Sequence, residues 1–459
     1  MNRPARDRLV PALTVVGIAL FGAYKLWQCL VGDALVWQDS LSYEASASHS
    51  WFSRALWAGD RAPLTPVLWK LTGTETSFVV TQTLLSIVAW SVLAVVVGRL
   101  ARPRWAQLVA GGLVLGFATA TPIVQWDRSV LSESLSLSLV ALLFAAAIVW
   151  ARRPGRAEAA VLVTVALLFA AVRDTHIWVI AMLAVALGAY GAWRATGRRN
   201  ARCATRVAWV AAALGVVVFV TGWGSASSHR TQQNIVNVYS VRVFPYADRI
   251  DWFADHGMPA ARALRARAAQ VKGVDGNAPY AGVDTNVPRF AALGRWLRDH
   301  GTATYVEWLL THPGYVVNEP LRRPERTFNN AEGHLTYYGA PDRTDVSLAN
   351  TLLFPPWWVV EPAALVAVLG AWWWRRWRLH AWQMVALLGV IGVAHMLIAW
   401  HGDGMEVTRH ASIGNVQVRL AILVALGMLL PRAAAARSED QSTRTPAGGV
   451  PPAVAAGTE

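Results

Sequence analysis

An acidic residue stands where the first apolar run of the chain gives out, in Val36-Trp37-Gln38-Asp39-Ser40-Leu41-Ser42-Tyr43-Glu44. Trp37 and Tyr43 flank it, and such rings favour the headgroup level of a bilayer, where an apolar body and a polar edge are both satisfied. A carboxylate held at that depth can take a proton from a hydroxyl and serve substrates that arrive dissolved in lipid. Three more segments put charge at the ends of apolar runs. Gln125-Trp126-Asp127-Arg128-Ser129 leads into Ser132-Glu133-Ser134, Val172 is followed by Arg173, Asp174 and His176, and His401-Gly402-Asp403-Gly404-Met405-Glu406-Val407-Thr408-Arg409-His410 precedes the last run. An acid inside a membrane costs on the order of 2.5–3.5 kcal/mol at the centre, so it is a functional candidate by default. Ser129, Ser132, Glu133 and Ser136 recur at helical spacing, which predicts one polar face turned toward the bundle interior or a wet cavity. An arginine at the mouth of a span matches phosphate oxygens bidentately. Arg409, with His410 beside it, therefore reads as an anion contact, and Arg61 and Arg173 are the next candidates. Lys25, inside the first run but toward its end, is expected to snorkel.

The composition says what must carry these groups. The chain has 459 residues, is 54% hydrophobic and 15% charged, and contains 24 Trp. Several apolar runs reach the roughly 20 residues needed to cross a bilayer. A formal net charge of +14 could suggest nucleic acid, but the basic residues cluster in short segments between apolar runs, where they set orientation instead. No Cys/His spacing suggests zinc or redox chemistry, and Cys29 and Cys203 fall on opposite sides of the membrane in the topology below, so no disulfide joins them. The apolar stretch after Met1–Arg8 is too long for a signal peptide and reads as a retained anchor.

Apolar runs near Leu9–Val31, Ser77–Leu100, Trp105–Val124, Val130–Trp150, Glu158–Val172, Ile177–Trp193, Val207–Trp223, Leu352–Trp374, Ala381–Trp400 and Ser412–Leu430 predict about ten spans. Arg3, Arg6 and Arg8, then Arg99–Arg104, Arg152–Arg156, Arg194–Arg206, Arg375–Arg378 and Arg432–Arg437, all fall on one side if both termini are cytoplasmic. The expectation is an all-α polytopic membrane protein. Residues 1–223 form a seven-span module with a long first outer loop at 33–76. Residues 224–350 form a helical extracytoplasmic domain, 351–432 three further spans, and 433–459 a disordered cytoplasmic tail. Trp51, Phe52, Ala55 and Leu56 predict an interfacial helix in the first loop, and the proline-punctuated run from Leu64 a second.

With these features in place, the chain resembles membrane glycosyltransferases of the GT-C superfamily, the class of lipid-linked aminoarabinose transferases and protein O-mannosyltransferases. Asp39 with Tyr43, the two interfacial helices, Arg61-Ala62-Pro63 and Leu131-Ser132-Glu133-Ser134-Leu135 carry that resemblance. Two departures stand out: Asp39-Ser40 where many members have Asp-Glu, and a second loop without Asp-x-Asp. The resemblance implies a bundle of about ten spans in a bacterial cell membrane with the active site extracytoplasmic. It implies a polyprenyl-phosphate sugar donor and a glycan, lipid or protein acceptor in the cell envelope. Asp39 would be the general base, with inversion at the sugar carbon. Arg409 and Arg61 would meet the lipid phosphate. Tyr43, Asp127, Glu133, Arg173 and His410 would line the substrate site, with Glu133 and Asp127 shaping the acceptor pocket or holding a divalent cation. A transporter of a lipid-linked saccharide and an inactive scaffold are the rival readings. Transporters show internal repeats and helices broken at midplane, and this chain has no such repeat.

Overall fold

The computed structural model describes residues 3–101, 104–196, 201–227, 230–271, 281–322, 324, 327, 352–373, 380–404 and 406–429. The expected tail at 433–459 and the stretch 328–351 lie outside the described residues. Within them the chain is helical throughout, and the extended pairing is one isolated parallel bridge between Leu35 and Ser129.

Helix α1 (Arg3–Leu30) is followed by three short helices, α2 (Gln38–Ala47), α3 (Arg54–Ala58) and α4 (Leu64–Thr72). The caps are local chemistry. Ser53 accepts the Ala55 N–H to start α3, and Gly73 ends α4 in a left-handed conformation (φ +71°) that lets its N–H reach the Trp69 carbonyl. Thr74 then caps α5 (Glu75–Gly98) through the Ser77 N–H. The third apolar run breaks in two: α6 (Arg104–Ala118) stops four residues before Pro122, whose ring would clash with the Ala118 carbonyl in a continuous helix. The chain turns 58° there into α7 (Thr121–Val124) and one 3-10 turn, Gln125–Arg128. Helices α8 (Glu133–Arg152), α9 (Arg156–Ala170), α10 (Asp174–Ala195) and α11 (Ala201–Ala226) complete the first module. The last three long helices are Trp357–Trp373, His380–Gly402 and Val407–Leu429.

Seven of these helices are long and apolar enough to cross a membrane, and eight if the bent pair in the third run counts as one span. Two of the ten expected runs form shorter helices, Arg156–Ala170 and Trp357–Trp373, with 15 and 17 residues. At about 1.5 Å per residue a 15-residue helix falls short of the roughly 30 Å hydrocarbon core.

Helix α8 is the axis of the bundle, buried along nearly its whole length against α5, α9 and the two final spans. Its Ser134, Ser136 and Ser138, followed by Ala141 and Ala145–Ala147, keep its surface small enough for close approach. Ser136 and Ser138 return their hydroxyls to the carbonyls of Ser132 and Ser134, so burial strands neither of these two donors. The helix begins at Glu133, three residues later than the periodicity predicts. Ser129 is in the extended link that pairs with Leu35, and Ser132 is the residue before the first turn. The expected serine stripe is therefore only partly helical, because the 3-10 turn and the bridge use the residues ahead of Glu133.

Lys25 does not snorkel. It is fully buried, and its Nζ lies 2.8 Å from Asp127 Oδ2 and donates to Ser86 Oγ at 2.6 Å. Ser134 Oγ donates to the other Asp127 oxygen at 2.7 Å, and Gln82 Nε2 reaches the carbonyls of Asp127 and Ser129. A lone buried ammonium would be severely penalised, so pairing across helices wins over reaching for the surface. This network pins α1, α5 and the start of α8 to one another.

A second hydrophobic core lies between residues 230 and 321, built on Tyr239, Phe244, Phe253, Tyr305 and Trp308. The unit docks on the end of the bundle where α8 starts. Arg242 donates to the Trp400 carbonyl at 3.0 Å and stacks on its ring, and the His401 ring lies 3.0 Å from the Val316 carbonyl. Gly404 touches the Asn237 backbone so closely that an added Cβ would lie 2.3 Å from its carbonyl oxygen. The docking contact therefore has no room for a side chain at that position.

Candidate functional site

Asp39 lies in the first turn of α2, where a carboxylate faces the unpaired N–H groups favourably. Ser40 fixes that turn in place. Its Oγ accepts the Trp37 N–H at 2.9 Å and donates to the Val130 carbonyl at 2.7 Å, tying α2 to the residues just ahead of Glu133. Five chain segments converge here: α2, the loop before α4, the N-terminus of α8, the N-terminus of α10, and the first turn of the last span.

Arg409 is the hub. Its Nη1 donates to Asp39 Oδ2 at 2.8 Å and to Glu406 Oε2 at 2.9 Å, and its Nε donates to Glu133 Oε1 at 2.5 Å. Arg61 Nη2 donates to the other Asp39 oxygen, Oδ1, at 2.6 Å, and Arg173 Nη1 reaches Glu133 Oε1 at 3.0 Å. The Arg61 guanidinium also lies over the Tyr43 ring, 5.2 Å from its centroid. His410 Nδ1 pairs with Asp403 Oδ2 at 2.5 Å, and its Nε2 lies 3.8 Å from Glu406. The cluster is graded in depth: Glu133 and Arg409 are 0% and 3% exposed, while Asp39 and Arg61 are 27% and 33% exposed. A molecule arriving from outside would meet the last two first.

Burial alone would raise the Asp39 carboxyl, but the guanidiniums of Arg409 and Arg61 outweigh it and hold its pKa at about 2. Asp39 is therefore ionised at neutral pH. Each of its oxygens accepts one guanidinium, and a carboxylate has about four acceptor positions, so lone pairs remain for a substrate hydroxyl. Burial pushes the Tyr43 hydroxyl up from its ordinary value, so Tyr43 stays a neutral hydrogen-bonding wall.

Of the residues singled out from the sequence, Asp39, Tyr43, Arg61, Glu133, Arg173 and Arg409 come together, with His410 at the rim. Arg173 pairs with Glu133 across 40 residues of sequence. Asp127 does not join them, since Lys25 and Ser134 hold it inside the bundle. Glu133 and Asp127, expected as partners for a divalent cation, are thus each matched to cationic side chains of their own. Among the described residues no group of three or more His, Cys, Asp or Glu is arranged to hold a metal ion. Glu406 and Asp403 are members that sequence reasoning named only as part of a charged turn. The i,i+3 spacing of Glu406 to Arg409 and the i,i+4 spacing to His410 were the available signal. The role of Ser40 had no such signal, because its partner Val130 is 90 residues away. A scan against protein-family models and a search of curated proteins each found no match to this chain.

Proposed function

We propose that the chain is a membrane glycosyltransferase that moves a sugar from a polyprenyl phosphate to an acceptor hydroxyl at the outer face of a plasma membrane. The observation that carries this reading is the pairing of an ionised, partly open Asp39 with two guanidiniums at the mouth of an apolar helix bundle. Asp39 takes the acceptor proton as the hydroxyl oxygen attacks the anomeric carbon. The bond to the phosphate breaks on the opposite side with its electron pair, and the sugar carbon inverts. Arg61, the more open of the two arginines on Asp39, meets the departing phosphate. That contact has a second effect. A carboxyl with a pKa near 2 is a weak base, and general bases work best with a pKa near the working pH. A phosphate that draws Arg61 away removes one of the two cations that hold Asp39 down, so burial raises its basicity as the donor binds. Arg409 orients Asp39 and Glu133 from behind.

In this reading the short helices Arg156–Ala170 and Trp357–Trp373 complete ten passes, both termini are cytoplasmic, and the 230–321 unit lies outside above the site. Surface labelling checks the orientation. A membrane-impermeant thiol reagent is expected to modify Ser227→Cys in intact cells while native Cys203 reacts only after permeabilisation. The reverse pattern would put the site on the wrong face for a lipid-linked donor presented outside. For the activity itself, cells lacking the protein are expected to accumulate one polyprenyl-phosphate sugar, and the wild-type chain but not Asp39→Asn should clear it. An unchanged pool of lipid-linked sugars would reject the donor class.

A further inference from the structure

At the opposite end of the bundle from Asp39 there is a cavity of about 440 Å³ between the C-terminal halves of α8 and α10 and the starts of α11 and the His380–Gly402 span. Along helix α8 it lies about 25 Å from Glu133, at about 1.5 Å rise per residue. Its walls are apolar and aromatic, with Trp150, Leu187, Tyr190 and Met384 among them, and its polar rim carries Arg206 and His380. Among the described residues no carboxylate lines it.

The charge at this rim is unlike that at the Asp39 end. There, Arg61, Arg173 and Arg409 each hold a carboxylate. Here Arg206 donates only to the Pro154 carbonyl, at 3.1 Å, and Arg194 donates to the Tyr190 hydroxyl at 3.0 Å while lying over the Tyr190 and Trp193 rings. Neither guanidinium has a carboxylate partner among the described residues. Stacking on two rings presents the Arg194 charge beside the cavity without neutralising it. An apolar slot of this size, with Arg206 at its rim and Arg194 stacked on two of its lining rings, suits a molecule with a hydrocarbon body and an anionic head. Basic pockets between membrane helices bind anionic lipid headgroups by this combination.

We propose that this cavity is a binding site for one anionic phospholipid, whose phosphodiester meets Arg206 and Arg194 and whose acyl chain lies against Leu187 and Met384. The site is distinct from the Asp39 cluster and does not depend on the activity proposed for it. A bound lipid would tie four helices together at the end farthest from the 230–321 unit.

The test uses the full chain purified in detergent, with phosphatidylglycerol, phosphatidylcholine or glycerol 3-phosphate added separately. Retained lipid is counted by native mass spectrometry and the unfolding temperature is followed in parallel. Phosphatidylglycerol is expected to be retained and to raise the unfolding temperature. Phosphatidylcholine should be held at least about fivefold more weakly and glycerol 3-phosphate should do nothing, since each arginine near the surface contributes about a fivefold factor. The double variant Arg194→Ala/Arg206→Ala should lose about twentyfold in retention with its lipid-free unfolding unchanged, and Arg194→Lys/Arg206→Lys should keep most of it. Equal retention of the two lipids would overturn the proposal, as would an equal shift from glycerol 3-phosphate alone. So would a double alanine variant that binds like wild type. If the alanine variant is unstable without lipid, the lysine variant decides, and its failure to retain phosphatidylglycerol counts against the site.

Discussion

Replacing Arg409 with alanine is expected to destabilise the fold by about 3–5 kcal/mol, the range for removing one partner of a buried ion pair. Three carboxylates share this guanidinium, and Glu133 is fully buried. After the substitution Glu133 keeps only Arg173, which is itself partly exposed. Arg409→Lys should fall between, because one ammonium cannot reproduce the separate Nε and Nη1 bonds that serve Glu133 on one side and Asp39 and Glu406 on the other. The telling variant is the double one. Glu133→Gln with Arg409→Met removes both buried charges, and such replacements are often neutral for stability. It should recover most of the loss while leaving transfer inactive, since Asp39 would no longer be oriented. Thermal unfolding in matched lipid reads all three. Wild-type unfolding for Arg409→Ala would show that the cluster contributes little to the fold. Arg409 would then be better read as the contact to the donor's phosphate, the role its position in the sequence suggests.

The division between what the sequence reveals and what it hides follows from the range of the interactions involved. The helices were legible because hydropathy is a local sum, but that same sum carried the third run, Trp105–Val124, through Pro122 as one span where the chain bends by 58°. The weakness of the fifth run as a full span was visible in its length alone. The charged ends were also legible, because an arginine or acid stands out against an apolar run. The pairing between those ends was not. Asp39 and Arg409 are 370 positions apart, and Arg409 and Glu133 are 276 apart, so no spacing rule links them. Lys25 shows the same limit in reverse. From its own helix it looks like a side chain that should reach for the surface, and only the arrival of Asp127 from another segment makes its burial affordable. Arg409 was read as a cation awaiting a phosphate for the same reason: its three carboxylates come partly from elsewhere in the chain.

If Asp39 is the base in transfer from a polyprenyl-phosphate sugar, as proposed above, removing its charge should stop the chemical step. Asp39→Asn keeps the size and removes the charge. The fold should tolerate it, because Asp39 is partly exposed and Arg409 retains Glu133 and Glu406. General-base catalysis typically contributes about 10²–10⁴-fold, so turnover should fall by that factor. The most direct measurement reconstitutes wild type and Asp39→Asn in liposomes with a panel of radiolabelled polyprenyl-phosphate sugars and an envelope extract as acceptor. Free polyprenyl phosphate and labelled acceptor are then followed together. Wild type is expected to release the lipid phosphate and label the acceptor in equal amounts from one donor, while Asp39→Asn does both about 10²–10⁴-fold more slowly and still unfolds near the wild-type temperature. Near-wild-type turnover by Asp39→Asn, or a donor that crosses the bilayer with its sugar still attached, would contradict that proposal.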